Sequence, residues 1–203
     1  MKKILYSVAL AVCCMGTMTS CSDFLDASNK SNVTAKQSFA TKEGLNNLVN
    51  NAYQHLQNVY AAPLFTSCFS AGTDMYADAR NKMNEALNTY ETLTPENTDI
   101  KNLYTYLYAG IRAANSVSYY AQTAQVDDKT KGQLVGEARV LAAYEYYLLV
   151  NNFGGVPIMK DFLTTADTGY PKSSAADVYA YIISELEEVI SKNVLQASTA
   201  TKG

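Results

Sequence analysis

Three side chains in one irregular stretch, Tyr76, Asp78 and Arg80, are of the types that hold a sugar. A flat ring offers a face for stacking, and planar carboxylate and guanidinium groups match hydroxyls. They fall in Ala61–Thr94, which has scattered apolar residues and many Asn, and loops on a rigid scaffold are where binding groups tend to sit. The plainer alternative is a surface loop with an ordinary Tyr and a solvated charge pair. A second candidate is the carboxylate pair Glu137 and Glu145. Eight residues on one helix separate them by about 12 Å, beyond the roughly 5–9.5 Å used for glycoside cleavage. Glu137 is therefore read as a partner of Arg139, Arg112 or a tyrosine. His55 and Cys68 stand alone in the body of the chain and build neither a metal cluster nor a disulfide framework. No Gly-rich phosphate loop, G-x-S-x-G, H-E-x-x-H or C-x-x-C occurs. No catalytic residue, metal or cofactor is expected, and the chain does not read as an enzyme.

The N-terminus carries a different chemistry. Lys2 and Lys3 precede the apolar run Ile4–Val12, and small and polar residues follow as far as Ser20. This is the layout of a secretory signal, too short for a membrane span. Met18-Thr19-Ser20-Cys21 resembles the lipobox of bacterial lipoproteins, which implies cleavage before Cys21 and acylation there. Several acyl chains, at about 0.8 kcal/mol per buried CH₂, would hold a domain on a bilayer. Residues 1–20 are thus expected to be a signal peptide, 21–37 an acylated tether, and 38–203 the domain.

The elements that must position these groups read as helices. The 203 residues are 48% hydrophobic and 17% charged, with a net charge of −3 and no basic run, so nucleic acid is not expected as a partner. A first helix is predicted from Thr41 to Tyr60, with a stripe through Leu45, Leu48, Val49, Ala52, Tyr53, Leu56 and Tyr60. Thr94-Pro95-Glu96 looks like the start of the next, whose stripe runs from Ile100 to Ile111. Asp127-Asp128 cap a third, and Gly136–Met159 is its central part. That block is apolar nearly all round, with Glu137 and Arg139 poised to pair, so burial between other helices is expected. Tyr144, Tyr146 and Tyr147 need hydrogen-bond partners, for which Glu137, Arg139, Asn151 and Asn152 are candidates. Gly154, Gly155 and Pro157 end this helix. Ser174 and Asp177 have capping-box spacing before a last stripe of Tyr179, Ile182, Ile183, Leu186, Val189 and Ile190. The expected fold class is mostly all-α, a tetratricopeptide-like helix-turn-helix array.

Four blocks carry a resemblance. Ser20–Asp26, Leu103–Asn115 (LYTYLYAGIRAAN), Gly136–Pro157 and Tyr170–Ile190 are similar, in order and spacing, to blocks of the SusD/RagB family. The resemblance implies an outer-membrane lipoprotein of Bacteroidetes, facing the cell exterior. It implies capture of oligosaccharide or another nutrient and delivery to a SusC-type TonB-dependent transporter. Family members are commonly more than twice as long, so this chain reads as the N-terminal portion. The chain has no Trp, which family glycan sites often use, but it has 16 Tyr and 6 Phe. The alternative role is a helical scaffold that binds only protein and has no sugar site of its own.

Overall fold

Four long helices follow from four well-formed starts. The computed structural model describes residues 34–76, 85–165 and 169–195. The chain divides into two units, Met1–Thr34 and Ala35–Gly203, and every helix named here belongs to the second. After a single exposed turn, α1 (Ala35–Ser38), comes α2 (Lys42–Tyr60), capped by the Thr41 hydroxyl, which accepts from the Gly44 N–H. A short α3 (Ala62–Phe65) runs into a π-helical turn, Thr66–Ser70. The small α4 (Glu85–Thr89) precedes α5 (Thr98–Ala121), then α6 (Asp128–Phe153) and α7 (Ala175–Lys192). The fold is all-α. Among the described residues the only β pairing is an isolated bridge, Thr73 to Tyr76.

Three starts are as the sequence predicts: Thr41, Asp127 and the reciprocal Ser174–Asp177 capping box. The fourth is not. Thr94-Pro95-Glu96 forms a turn, and α5 begins at Thr98, because the Asn97 side chain accepts from the N–H groups of both Asp99 and Ile100. An Asn with two backbone donors outcompetes a Thr placed ahead of a proline.

The helices pack as an alternating array. Tyr104 meets Phe153 and Tyr108 meets Tyr146, so α5 and α6 are antiparallel. Arg139 reaches Glu185 and Tyr179 reaches Asn151, so α6 and α7 are antiparallel too. Tyr53 bonds Glu137 and Tyr60 bonds Tyr144, which makes α2 parallel to α6. One half of the core is alanine-rich, with Ala52, Ala113, Ala114, Ala138 and Ala142 beneath Leu45, Leu48 and Leu134. The other half is bulkier, built on Leu103, Leu107, Ile111, Tyr146, Leu149, Val178 and Ile182. In α7, Ile182 and Val189 are buried and Leu186 is half-buried, whereas Ile183 and Ile190 face solvent. A six-residue apolar stripe is wider than the single contact line α7 makes with α6, so its edge residues stay outside.

The chain beyond α6 is held by side chains from α5 and α6. Gly154 has φ +69°, a conformation open to glycine. A Cβ on Gly155 would stand 2.2 Å from the Ser173 carbonyl, so only glycine lets the strap before α7 approach. The Tyr146 hydroxyl accepts from Met159 N–H at 2.7 Å and donates to Met159 O at 3.3 Å. Tyr108 donates to Pro157 O and Asn115 to Met159 O, each at 2.8 Å. The partners expected for Tyr146 on its own helix are not used: Glu137, Arg139, Asn151 and Asn152 lie five to nine positions away, beyond the i±3 and i±4 neighbours of a helix, while the returning backbone comes within reach.

Glu145 is the anomaly of the core. It is fully buried, and neither carboxyl oxygen has a hydrogen-bond partner. It lies in a notch opened by Gly110 of α5, where a Cβ would stand 1.7 Å from Glu145 Oε1. Burial pushes its pKa up to about 9, so the acid is neutral at pH 7. Between about pH 4.5 and 9 the folded chain then holds a proton the unfolded chain lacks, so stability falls as pH rises through that window. Thermal melts across it should show this slope in the wild type and a shallower one in Glu145→Gln; equal slopes would remove the neutral-acid assignment. Gly110→Ala should cost about 1–3 kcal/mol in urea denaturation, and less in a Glu145→Ala background. Additive costs would separate the two positions.

Candidate functional site

Residues 44–73 contain no Asp, Glu, Lys or Arg, and neither do residues 146–159. Soluble surfaces carry charges at roughly a quarter to a third of positions, so an uncharged exposed run is informative. On α2 the water-facing side chains include Asn50, Tyr53, Gln54, Gln57 and Tyr60, which line a shallow groove. On the C-terminal half of α6 they include Tyr144, Tyr147, Asn151 and Asn152. The parallel packing of α2 on α6 lays these two sets side by side.

Hydrogen bonds and ring contacts join them into one face. Tyr53 donates to Glu137 Oε1 at 2.8 Å, and the hydroxyls of Tyr60 and Tyr144 share a hydrogen bond. The rings of Tyr144 and Tyr147 stack at 6.2 Å, and Tyr60 stacks on Phe69 with an interplanar angle of 8°. Phe65 packs against both Tyr60 and Phe69. At the far end Tyr179 of α7 donates to Asn151 Oδ1 at 3.0 Å. Burial and the neighbouring Glu137 raise the Tyr53 phenol to about 12, and burial and Tyr144 raise Tyr60 to about 12. These phenols remain protonated donors across the physiological range. Flat rings beside hydroxyls and carboxamides, each able to donate and accept, suit a neutral ligand rich in hydroxyls.

This face corrects the sequence reading. Tyr53 and Tyr60, placed on the core stripe of the first helix, are 43% and 42% exposed, and Tyr147 is 47% exposed. The central helix buries Tyr146 but turns Tyr144 and Tyr147 outward, so it is not enclosed on every side. The missed signal was the absence of formal charge over two long runs, which makes tyrosines serve as surface.

The remaining candidates fall in separate places. Tyr76 is half-buried at the end of the turn after the π-helical segment, while Asp78 and Arg80 lie outside the described residues, as does Cys21. Glu137 takes a tyrosine, one of its three expected partners. Arg139 does not pair with Glu137, since neighbours two apart on a helix diverge. It bridges α6 to α7 instead, with Nε 3.0 Å from Glu185 and Nη1 2.6 Å from Glu188. Arg139, and then Lys192, pull the Glu188 carboxyl down to about 2. His55 keeps a buried Nδ1 without a partner, and burial lowers its pKa. Among the described residues no group of three His, Cys, Asp or Glu could hold a metal, and no helix is long and apolar enough to cross a membrane.

The chain matches, over residues 23–199, a protein family described as SusD-like, starch-binding and associating with the outer membrane. It is 28% identical over 190 residues to the SusD-like protein P38 of Formosa agariphila, covering 91% of this chain and 36% of that protein. Surface glycan-binding protein A from Bacteroides uniformis superposes with a TM-score of 0.66 at 25% identity, over 78% of this chain and 36% of that one. A SusD-like carbohydrate-binding protein from Bacteroides vulgatus has the same fold, with a TM-score of 0.67 at 19% identity over 80% of this chain and 37% of the other. The chain thus spans about a third of the length of these relatives.

Proposed function

The chain belongs to the SusD-like family, a starch-binding family of the outer membrane, and on that premise we propose that it captures neutral oligosaccharide outside the cell. The observation that carries this reading is the tyrosine and carboxamide face of α2 and α6, whose acid, Glu137, is bonded to Tyr53. Tyr53, Tyr60, Tyr144 and Tyr147 supply ring surfaces, and Asn50, Gln54 and Gln57 supply paired donors and acceptors. The loop with Tyr76, Asp78 and Arg80 is proposed as a further contact for the same ligand. Cys21 is the proposed lipid attachment, so the domain faces outward from the outer membrane. A SusC-type TonB-dependent transporter is the proposed recipient. The role is capture and delivery, with no chemical step.

A second reading has an observation of its own. Tyr is enriched and Lys and Glu are depleted at the centres of protein–protein interfaces, and this face has that composition. On this reading the helical array is a scaffold that docks the transporter and holds no sugar.

Native electrophoresis of the full chain in gels containing soluble starch separates the two. Retardation is expected, and Tyr60→Ala with Tyr147→Ala should remove most of it, since each ring contact contributes about 0.5–1.5 kcal/mol. No retardation, together with co-purification of the transporter, would favour the scaffold. Cys21→Ala should move the protein from the membrane fraction to the soluble fraction; retention in the membrane would end the lipid assignment.

A further inference from the structure

Between the middle of α5 and the strap that follows Pro157 lies a cavity of about 260 Å³. Ile111, Met159 and Leu163 make its apolar wall, and Arg112, Asn115, Asp161, Thr164 and Thr165 bring polar groups to it. It lies away from the tyrosine face and differs from it in charge. Its wall is fixed, because Met159 is held by Tyr146 on both backbone groups and by Asn115 Nδ2 on its carbonyl.

Two cations here rest on rings and not on acids. The Arg112 guanidinium carbon is 5.5 Å from the centroid of Phe162, which itself packs on Tyr119 and Tyr120. Lys160 Nζ is 5.7 Å from the centroid of Tyr181, beside an adjoining groove that shares Asn115 and Asp161 with the cavity. Among the described residues neither cation lies in an ion pair, whereas the nearby Arg139 is neutralised by Glu185 and Glu188. A guanidinium held over a ring keeps its in-plane N–H groups free, the geometry that receives a carboxylate with two parallel hydrogen bonds.

Resting on the glycan-capture reading, we propose that this cavity is a subsite for a sugar unit that carries a carboxylate. Arg112 is the counter-charge, and Lys160 adds positive potential from the adjoining groove. Asp161 repels the carboxylate and accepts from hydroxyls, so it orients the ring with its acid toward Arg112. The Thr164 and Thr165 hydroxyls and the Asn115 amide meet the remaining hydroxyls, and Ile111, Met159 and Leu163 cover a C–H face. The same molecule then reads neutral units on the tyrosine face and acidic units here, as a mixed glycan would present them.

Calorimetric titration of the full chain with galacturonate oligosaccharides, their sulfated neutral counterparts and starch oligosaccharides tests this. Arg112 is exposed, so its truncation leaves the core intact, and circular dichroism of each variant checks this. Arg112→Ala should weaken galacturonate binding by about tenfold or more, Arg112→Lys should restore only part of it, and Asp161→Asn should tighten it. Starch binding should be unmoved by Arg112→Ala and reduced by Tyr147→Ala. If wild type binds starch but not galacturonate, or if Arg112→Ala binds galacturonate like wild type, the subsite is wrong and the neutral face stands. A preference for the sulfated sugar over the carboxylate would also overturn it. If wild type binds none of these sugars, the capture reading falls as well.

Discussion

The hydroxyl of Tyr146 holds both backbone groups of Met159, and the course of the strap after α6 depends on that contact. The phenol is buried between α5, α6 and α7, with its ring edge-on to Tyr108 and Tyr181. Burial pushes its pKa far above that of a free phenol, so it keeps its proton and can accept and donate at once. Losing both bonds would leave the part-buried Met159 N–H without its partner, at on the order of 1–3 kcal/mol, and the Met159 carbonyl with Asn115 alone. The strap from Val156 onward makes few backbone hydrogen bonds of its own. Its course is set by Tyr146, Tyr108 and Asn115, and with it the position of Asp161, Phe162 and Thr164.

Two surfaces of opposite character result from one three-helix packing. Where α2 lies parallel to α6, both helices present tyrosines and carboxamides, and on the proposed reading recognition there rests on rings, hydroxyls and amides. Where α5 meets the strap, charged side chains converge, and two of them are steadied by aromatic rings. Charge-assisted bonds are roughly twice as strong as neutral ones, while ring stacking tolerates many sugars. A ligand that touches both surfaces would combine tolerance with selection.

Much of the fold was legible in the sequence because its signals are local. Thr41, Asp127 and Ser174 cap their helices through side chains within three residues, and an apolar spacing of three and four shows which face turns inward. The errors lie where a distant group decides. Thr94-Pro95 looked like a start, but Asn97 made the better cap. Arg139 looked tied to Glu137, but its partners are 46 and 49 positions along the chain, on α7. The spacing of Tyr53 and Tyr60 fits a core stripe, but a phenol suits burial and exposure equally, and only the neighbouring helix determines which applies. The cavity had no signal at all in the sequence, since Arg112, Asn115, Asp161 and Thr164 come together only when the strap folds back.

The notch at Gly110 has a bearing on descent. A carboxyl that fills the space left by a missing side chain ties two positions on different helices into one unit of inheritance. A lineage that gains bulk at 110 must shrink 145, and one that loses the acid at 145 opens a hole for 110 to fill. Among diverging copies of this gene the two sites should therefore change in step, each substitution permissive for the other, while the solvent-facing tyrosines nearby are free of that constraint.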